Sequence, residues 1–322
     1  MSRDANAARA IAFILGAMVF ISANDMLIKL LSGGYPLHQI VFFRSVIAIC
    51  AGLVLLRMEG GWRLLKTDRP GLHVLRASCI VVANMLFFLS LSVIPLAAAT
   101  ALFFVAPLFI TLLAIPVLGE PVGRHRIAAV GVGLLGVVVM AAPGLELGGA
   151  PRWALALPVL AAACYAGMQV LTRKLGVGSA ASAMAIYIQG AFILVSLGFF
   201  VVAGDGRFAA GAGPGPLEFL LRAWVWPAPG DAWVFGILGL LSAGIGYCLS
   251  QAYRLGTAAV VASYEYAALP LAIFWGWLIF GEVPGPSVWG GTVLIAGAGL
   301  YVFARERVRD RALASARPVR RS

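Results

Sequence analysis

Charged side chains are scarce. Only 11% of the 322 residues are Asp, Glu, Lys or Arg, against about 25% in an average soluble domain. Hydrophobic residues make up 61% and mean hydropathy is +0.96. A chain of this size cannot bury so much apolar surface in its own core and still show water a charged exterior. A soluble globular enzyme, a disordered protein and a secreted disulfide scaffold are excluded. Histidine is nearly missing: His38, His73 and His125 all stand at the ends of apolar stretches. The four cysteines, Cys50, Cys79, Cys164 and Cys248, lie singly inside such stretches, with no CxxC pair and no His at ligand spacing. They read as small core residues, and the pattern argues against a metal site. Acidic residues number 13 against 24 Lys and Arg, for a net charge of +11. In a chain this apolar the basic surplus is a topology signal and not a nucleic-acid footprint.

What is present is a series of long apolar runs. A helix needs about 20 apolar residues to cross about 30 Å of hydrocarbon. On that basis the sequence predicts ten spans, at 11–31, 38–57, 72–93, 96–118, 127–143, 153–172, 181–203, 231–253, 258–280 and 287–304. The first is too long for the apolar core of a signal peptide and is read as a retained helix. With the N-terminus placed in the cytoplasm, 19 of the 24 Lys and Arg fall in inside segments. The positive-inside rule then puts both termini on the cytoplasmic side and requires an even number of spans. The 204–230 connection is Gly- and Pro-rich on the outside, and Trp224 and Trp226 within it suggest a short interfacial segment. The Arg-rich tail, 305–322, is an orientation signal with some capacity to meet anionic lipid.

The two halves resemble each other. An offset of 145 aligns Asn24 with Gln169, Lys29-Leu30 with Lys174-Leu175 and Phe42-Phe43-Arg44 with Tyr187-Ile188-Gln189. An offset near 163 aligns Ala106-Pro107-Leu108-Phe109 and Gly119-Glu120-Pro121 with Leu269-Pro270-Leu271-Ala272 and Gly281-Glu282-Val283-Pro284. Five spans per half is an odd number, so the second half must enter the membrane upside down, as in secondary transporters. The fold expected is all-α and integral to the membrane. One repeat covers 11–143 and its inverted partner 153–304. Pro107 and Pro270 place a weak point inside spans 4 and 9.

At this point the chain resembles the drug/metabolite transporter superfamily, in particular its EamA-type members, over residues 11–304. The ten spans, the five-plus-five repeat and the two Pro…Gly-Glu endings carry the resemblance. In the first half Ser22-Ala23-Asn24-Asp25-Met26-Leu27-Ile28-Lys29, Tyr35-Pro36 and Phe42-Phe43-Arg44 look like bacterial metabolite importers such as riboflavin and S-adenosylmethionine carriers. Other members export amino acids or drugs. The resemblance implies a bacterial inner-membrane location, a central cavity between the halves, no nucleotide-binding domain, and movement of a small organic solute by exchange or by coupling to an ion gradient. The second half departs from the first at the site positions, with Val170 matching Asp25 and Gln189 matching Arg44.

A charge at the bilayer centre costs about 2.5–3.5 kcal/mol on insertion scales, so each one present is a site candidate. Asp25 and Lys29 are four apart and share a helix face. Asp25 and Arg44 both lie about 9 Å below the outer surface at 1.5 Å per residue. A direct Asp25–Arg44 pair is expected, with Lys29 as its rim partner. It is either a structural salt bridge or an outer gate and charged patch for an anionic or zwitterionic solute. Glu265 is the sharpest candidate. It stands between Tyr264 and Tyr266 in span 9, where a buried carboxyl can exchange a proton as a cavity alternates or meet a cationic part of the solute. A neutral glutamic acid bonded to a helix, or a partner for Arg254, explains it equally. Asn24, Asn84, Gln169 and Gln189 are uncharged polar groups for the cavity wall or for interhelical hydrogen bonds. Tyr187, Tyr264 and Tyr266, with Phe42, suggest a narrow aromatic cavity for a flat solute. Trp275 and Trp277 suit the interfacial belt. Glu120 and Glu282 are expected to hold loops in the headgroup region.

Gly131-Val132-Gly133-Leu134-Leu135-Gly136 fits GxGxxG but lies inside span 5, with no preceding soluble strand. Its small residues, and Gly290, Gly291, Gly297 and Gly299 of span 10, suit close helix packing or a homodimer face. No HExxH or GxSxG motif is present and no His lies inside a span. The sequence therefore speaks against an intramembrane enzyme, and no filter-like segment speaks for a channel. No cofactor is expected.

Overall fold

The computed structural model describes residues 3–119, 124–141, 152–175, 179–209, 215–255, 261 and 264–315, and among these there is no β-strand. The helices are α1 (Arg3–Leu31), α2 (Leu37–Glu59), α3 (Pro70–Leu91), α4 (Leu96–Phe103), α5 (Ala106–Leu118), α6 (Arg124–Ala141), α7 (Ala156–Leu175), α8 (Ala181–Ala203), α9 (Pro216–Leu221), α10 (Ala232–Leu255), α11 (Ala268–Phe280) and α12 (Pro286–Ser315). Proline punctuates them. Pro70, Pro216 and Pro286 open α3, α9 and α12, where a missing N–H costs no helical bond. Pro36 and Pro95 sit in extended geometry just before α2 and α4. Gly281, at φ 64°, ends α11 in the left-handed conformation that glycine adopts without strain.

Seven helical segments are long and apolar enough to cross a membrane: Ala8–Leu31, Leu37–Glu59, Pro70–Leu91, Leu96–Leu118, Arg152–Leu175, Ala181–Ala203 and Ala232–Tyr253. Two more, Ile127–Val139 and Ala268–Phe280, are apolar but shorter. The fifth predicted span coincides with α6. The ninth is represented by Tyr264-Glu265 and α11, and its earlier residues lie largely outside the described ones. The tenth opens α12, which continues through the Arg-rich stretch to Ser315 and so carries helix into the expected tail. Large apolar side chains such as Val138, Leu194, Val201 and Val293 are exposed on helix surfaces. Such a surface belongs against lipid and not against water. The protein is a multi-pass membrane protein.

Two of these apolar runs are interrupted. Between α4 and α5 the chain turns at Phe104 and Val105, and between Tyr264-Glu265 and α11 it turns at Tyr266 and Ala267. Pro107 and Pro270 stand two and three residues into the helices that resume, where proline leaves no amide to bond back across the turn. The weak points expected from the two prolines are real interruptions, each shifted a few residues towards the N-terminus.

Packing joins early helices to late ones. α1 lies against α10 and α11, α2 against α8 and α10, α3 against α7 and α8, α4 against α11, α5 against α7, and α6 against α12. The last pair approaches closely: a Cβ added at Gly136 would stand 2.8 Å from Ile295 Cγ1 and 2.9 Å from the Gly291 carbonyl oxygen. The glycine faces read from the sequence therefore meet inside one chain.

Candidate functional site

Eight of the helices enclose a cavity of about 190 Å³. Its wall comes from α1, α2, α3, α4, α7, α8, α10 and α11, while α6 and α12 stand outside it. Most of the wall is apolar, and its aromatic side chains are Phe87, Phe88, Phe103, Phe104, Tyr165 and Phe192. Two polar clusters interrupt that surface.

The first cluster is built on Arg44 of α2, which is only 4% exposed. Arg44 Nη2 donates to Asn84 Oδ1 of α3 at 2.6 Å and Nη1 to Asn24 Oδ1 of α1 at 3.3 Å. Its guanidinium lies over the rings of Phe88 and Phe192, 5.3 and 5.2 Å from their centroids. Asn24 Nδ2 donates to Asp25 Oδ1 at 3.1 Å, and Ser242 Oγ of α10 donates to Asn24 Oδ1 at 3.4 Å. The expected direct Asp25–Arg44 pair is thus corrected. Asn24 stands between the two charges, because its amide can accept from one and donate to the other. Arg44 Nε, Gln189 Oε1 and Thr100 Oγ1 are buried without a hydrogen-bond partner, and all three residues line the cavity.

The second cluster is built on Glu265, also 4% exposed, just before the turn that precedes α11. Tyr253 of α10 donates its hydroxyl to Glu265 Oε1, and Tyr165 of α7 approaches the same oxygen at 3.5 Å. Gln169 Nε2 in turn donates to the Tyr165 hydroxyl at 2.6 Å, so Gln169 acts behind the wall. Tyr253 was not singled out by the sequence. It stands at the end of a predicted span, where a tyrosine ordinarily reads as an interfacial anchor.

The remaining predicted residues are placed elsewhere. Lys29 turns away from Asp25: its Nζ reaches Glu282 Oε1 at 2.5 Å and the Ile94 carbonyl at 3.3 Å. Tyr187 donates to the Leu65 carbonyl and packs on His73, Tyr266 packs on Phe104, and Phe42 packs on Trp224. Neither these three nor Tyr264 lines the cavity, and the aromatic wall is made instead by phenylalanines of α3, α4, the turn after α4 and α8, with Tyr165 of α7. Alternating apolar and polar faces cannot be read from runs that are apolar all round. Trp277 is exposed as an interfacial residue would be, but Trp275 Nε1 donates to Ser22 Oγ across to α1 at 3.4 Å. Glu120 lies outside the described residues.

Over the end of the bundle where α1 meets α2, residues 215–231 form a strap. Gln39 Nε2 donates to the Val225 carbonyl while Gln39 Oε1 accepts from Val225 N–H. Arg222 donates to the Ser32 and Gly33 carbonyls, and Tyr35 donates to Asp231 Oδ2 at 2.6 Å. That bond to a carboxylate holds the Tyr35 hydroxyl above the ordinary tyrosine pKa. The expected interfacial segment is present as α9, but Trp224 is packed among His38, Phe42, Phe43 and Phe200, and only Trp226 stays exposed, at 89%.

Residues 8–142 match the EamA-like transporter family. Over 85% of its length the chain is 26% identical to a protein named riboflavin transporter from Brucella anthropi, covering 90% of that relative. It is 27% identical to the S-adenosylmethionine uptake transporter of Rickettsia prowazekii, over 92% of this chain and 93% of the relative. It is also 27% identical to the pseudopaline exporter of Pseudomonas aeruginosa, over 88% of this chain and 92% of the relative. A solved crystal structure shares the fold at a TM-score of 0.63 and 18% identity, covering 92% of this chain and 96% of the other. The resemblance seen in the sequence is matched: residues 8–142 are similar to the EamA-like transporter family, and most of the chain is similar to proteins named as transporters of riboflavin and of S-adenosylmethionine.

Proposed function

We propose that the protein is a secondary carrier of a small organic metabolite, and not an enzyme, and that it works by alternating access around the cavity. The observation that carries this reading is the cavity itself, walled by helices from both ends of the chain and carrying Arg44 in one polar cluster and Glu265 in the other. Ten spans in two inverted sets of five, 11–143 and 153–304, account for the packing. Numbering the spans one to ten and exchanging each with the span five places away turns the observed pairings into one another: α1 on α10 becomes α7 on α3, α5 on α7 becomes α11 on α1, and α2 on α8 and α6 on α12 map onto themselves. Carriers built from such repeats place the solute near the midplane between them. In the orientation proposed, both termini face the cytoplasm across an inner membrane.

In this reading Arg44, Asp25, Asn24, Asn84 and Gln189 hold the polar part of the solute, and the phenylalanines hold its flat or apolar part. Glu265, set by Tyr253 and Tyr165, takes a proton or a cationic group. Tyr187, Tyr264 and Tyr266 act from behind the wall. Solutes of the riboflavin, S-adenosylmethionine and amino-acid kind are the first to test, since relatives named for two of them cover nearly the whole chain. The exporter among the relatives keeps export as the second reading of direction. A homodimer through spans 5 and 10 would have to use what α6 and α12 leave free, such as Gly131 and Gly297, which meet nothing within 4 Å.

The test is counterflow in proteoliposomes, with amino acids, flavins, nucleosides and S-adenosylmethionine offered at two pH values. Saturable counterflow of one solute class is expected, with dependence on an imposed proton gradient if Glu265 couples. A flux that never saturates and shows no counterflow would mean a channel, and chemical change of the solute would mean an enzyme.

A further inference from the structure

Lys29 and Glu282 are used by neither polar cluster, yet they are the most tightly paired charges described in the molecule. Glu282 follows Gly281, whose left-handed backbone turns the chain back over the end of α11; Glu282 N–H donates to the Gly276 carbonyl at 2.9 Å. Its carboxylate then divides. Oε1 accepts from Lys29 Nζ at 2.5 Å, and Oε2 accepts the Leu96 N–H at 2.9 Å, one of the open amides at the start of α4. Lys29 Nζ also donates to the Ile94 carbonyl and lies 5.0 Å from the centroid of the Phe280 ring. The two side chains are only 11% and 23% exposed. Four elements are tied at one point: the last turn of α1, the α3–α4 connection, the first turn of α4 and the end of α11.

The point lies directly over the cavity. Asp25 is one helical turn from Lys29 along α1, and Leu96 and Ala272 line the cavity. Below the pair, the Trp275–Ser22 bond ties α11 to α1 a second time. Helix-end charges add to the match, since a cation suits the C-terminal end of α1 and an anion the N-terminal end of α4. The contact also crosses between the two sets of helices: Lys29, Ile94 and Leu96 belong to the first and Glu282 to the second.

We infer that Lys29 and Glu282 are the gate of the carrier on the side where α1 ends, closed in this conformation, and that this side opens by parting Glu282 from Lys29 and Leu96. The inference rests on the carrier reading above. Each charge has its partner only while the gate is shut, so opening leaves both to be rehydrated from the aqueous side. That requirement separates a gate from an ordinary packing contact, which stays dry throughout the cycle.

The test uses the full chain with Cys50, Cys79, Cys164 and Cys248 replaced by alanine and one cysteine introduced as Ala272→Cys. The rate at which a membrane-impermeant maleimide added from the α1-end side labels that cysteine reads the gate directly, and needs no known solute. Lys29→Ala and Glu282→Gln are each expected to raise the rate at least tenfold. The exchanged pair, Lys29→Glu with Glu282→Lys, restores the ion pair but not the acceptor for Leu96 N–H or the helix-end match, and is expected to return the rate in part. Single variants that fold and label as slowly as the parent overturn the gate. If the single variants do not fold, the cysteine pair Lys29→Cys with Glu282→Cys replaces them. A short bis-methanethiosulfonate, in place of the two side chains that now meet, joins them. Blocked counterflow that a reductant restores supports the gate, and full counterflow while cross-linked overturns it. Labelling that follows the pair, together with a flux that never saturates and shows no counterflow, removes the carrier reading and makes Lys29 and Glu282 the gate of a channel. Counterflow with labelling indifferent to the pair keeps the carrier reading and removes the gate.

Discussion

The two polar clusters of the cavity hold opposite charges by different means. Arg44 is held by carboxamides and rings: two asparagines take its outer nitrogens and two phenylalanines cover its faces. Glu265 is held by phenols, Tyr253 and Tyr165, which converge on one carboxylate oxygen. The first cluster comes mainly from α1, α2 and α3, and the second from α7, α10 and the residues before α11. In neither is the charge met by an opposite charge in direct contact. Dipoles hold a buried charge in place without cancelling it, and the field that remains is available to a solute. A structural salt bridge would leave much less.

The comparison breaks most severely at Arg44. Arg44→Ala removes the donor to the half-buried Asn84 Oδ1 and one of the two donors to the buried Asn24 Oδ1, and the expected result is loss of counterflow by more than a hundredfold with a clear fall in detergent melting temperature. Each buried polar group left unpaired costs about 1–3 kcal/mol. Arg44→Lys keeps the charge but not the planar fork, and should recover folding more than transport. Equal activity of arginine and lysine variants would mean that only the charge matters at this end.

A smaller effect is expected at the phenolic end. Glu265→Gln keeps an acceptor for Tyr253 and should fold like the parent, while counterflow falls roughly tenfold or more and any proton-gradient dependence disappears. Unchanged transport with an unchanged pH profile would reduce Glu265 to a packing residue. Tyr253→Phe removes one hydrogen bond to a carboxylate, worth about 1.5–3 kcal/mol at most, and its effect should not add to that of Glu265→Gln in a double variant.

The smallest effect is expected at Tyr266, next to Glu265 in the chain but outside the wall. Its hydroxyl is buried with no partner, so Tyr266→Phe should leave counterflow unchanged and stability equal or slightly higher. A large loss of transport would move Tyr266 into the site and blur the line between wall and support.

The helices and many of the cavity residues were legible for one reason: a polar atom in lipid is conspicuous. Arg44, Asp25, Glu265, Asn24, Asn84 and Gln189 stand out in apolar runs, and all six line the cavity. Their partners were harder to read. The Asn24 bridge replaced the expected ion pair because depth along two helices fixes height in the membrane but not rotation about the helix axis. Lys29 was assigned to Asp25 on helix spacing alone, and only the fold brings Glu282 to it from 253 positions along the chain. Phe87, Phe88, Phe103 and Phe192 gave no signal, since a phenylalanine facing a cavity and one facing lipid have the same neighbours in sequence. The interruptions at Phe104 and Tyr266 were visible through Pro107 and Pro270, though proline marks the helix that resumes and not the turn itself.

The close seat of α6 on α12 has a consequence for how the chain is made. α6 emerges from synthesis some 150 residues before the helix that receives its Gly136 face, and α1 and α2 likewise wait for α10 and α8. Early helices must therefore be kept as loosely associated strangers in the bilayer until the last one is inserted, because their true neighbours do not yet exist. Neither half can complete its packing alone. A chain cut short before α12 would leave α6 without the surface it was built to meet, and such unfinished copies are what membrane quality control must recognise and remove.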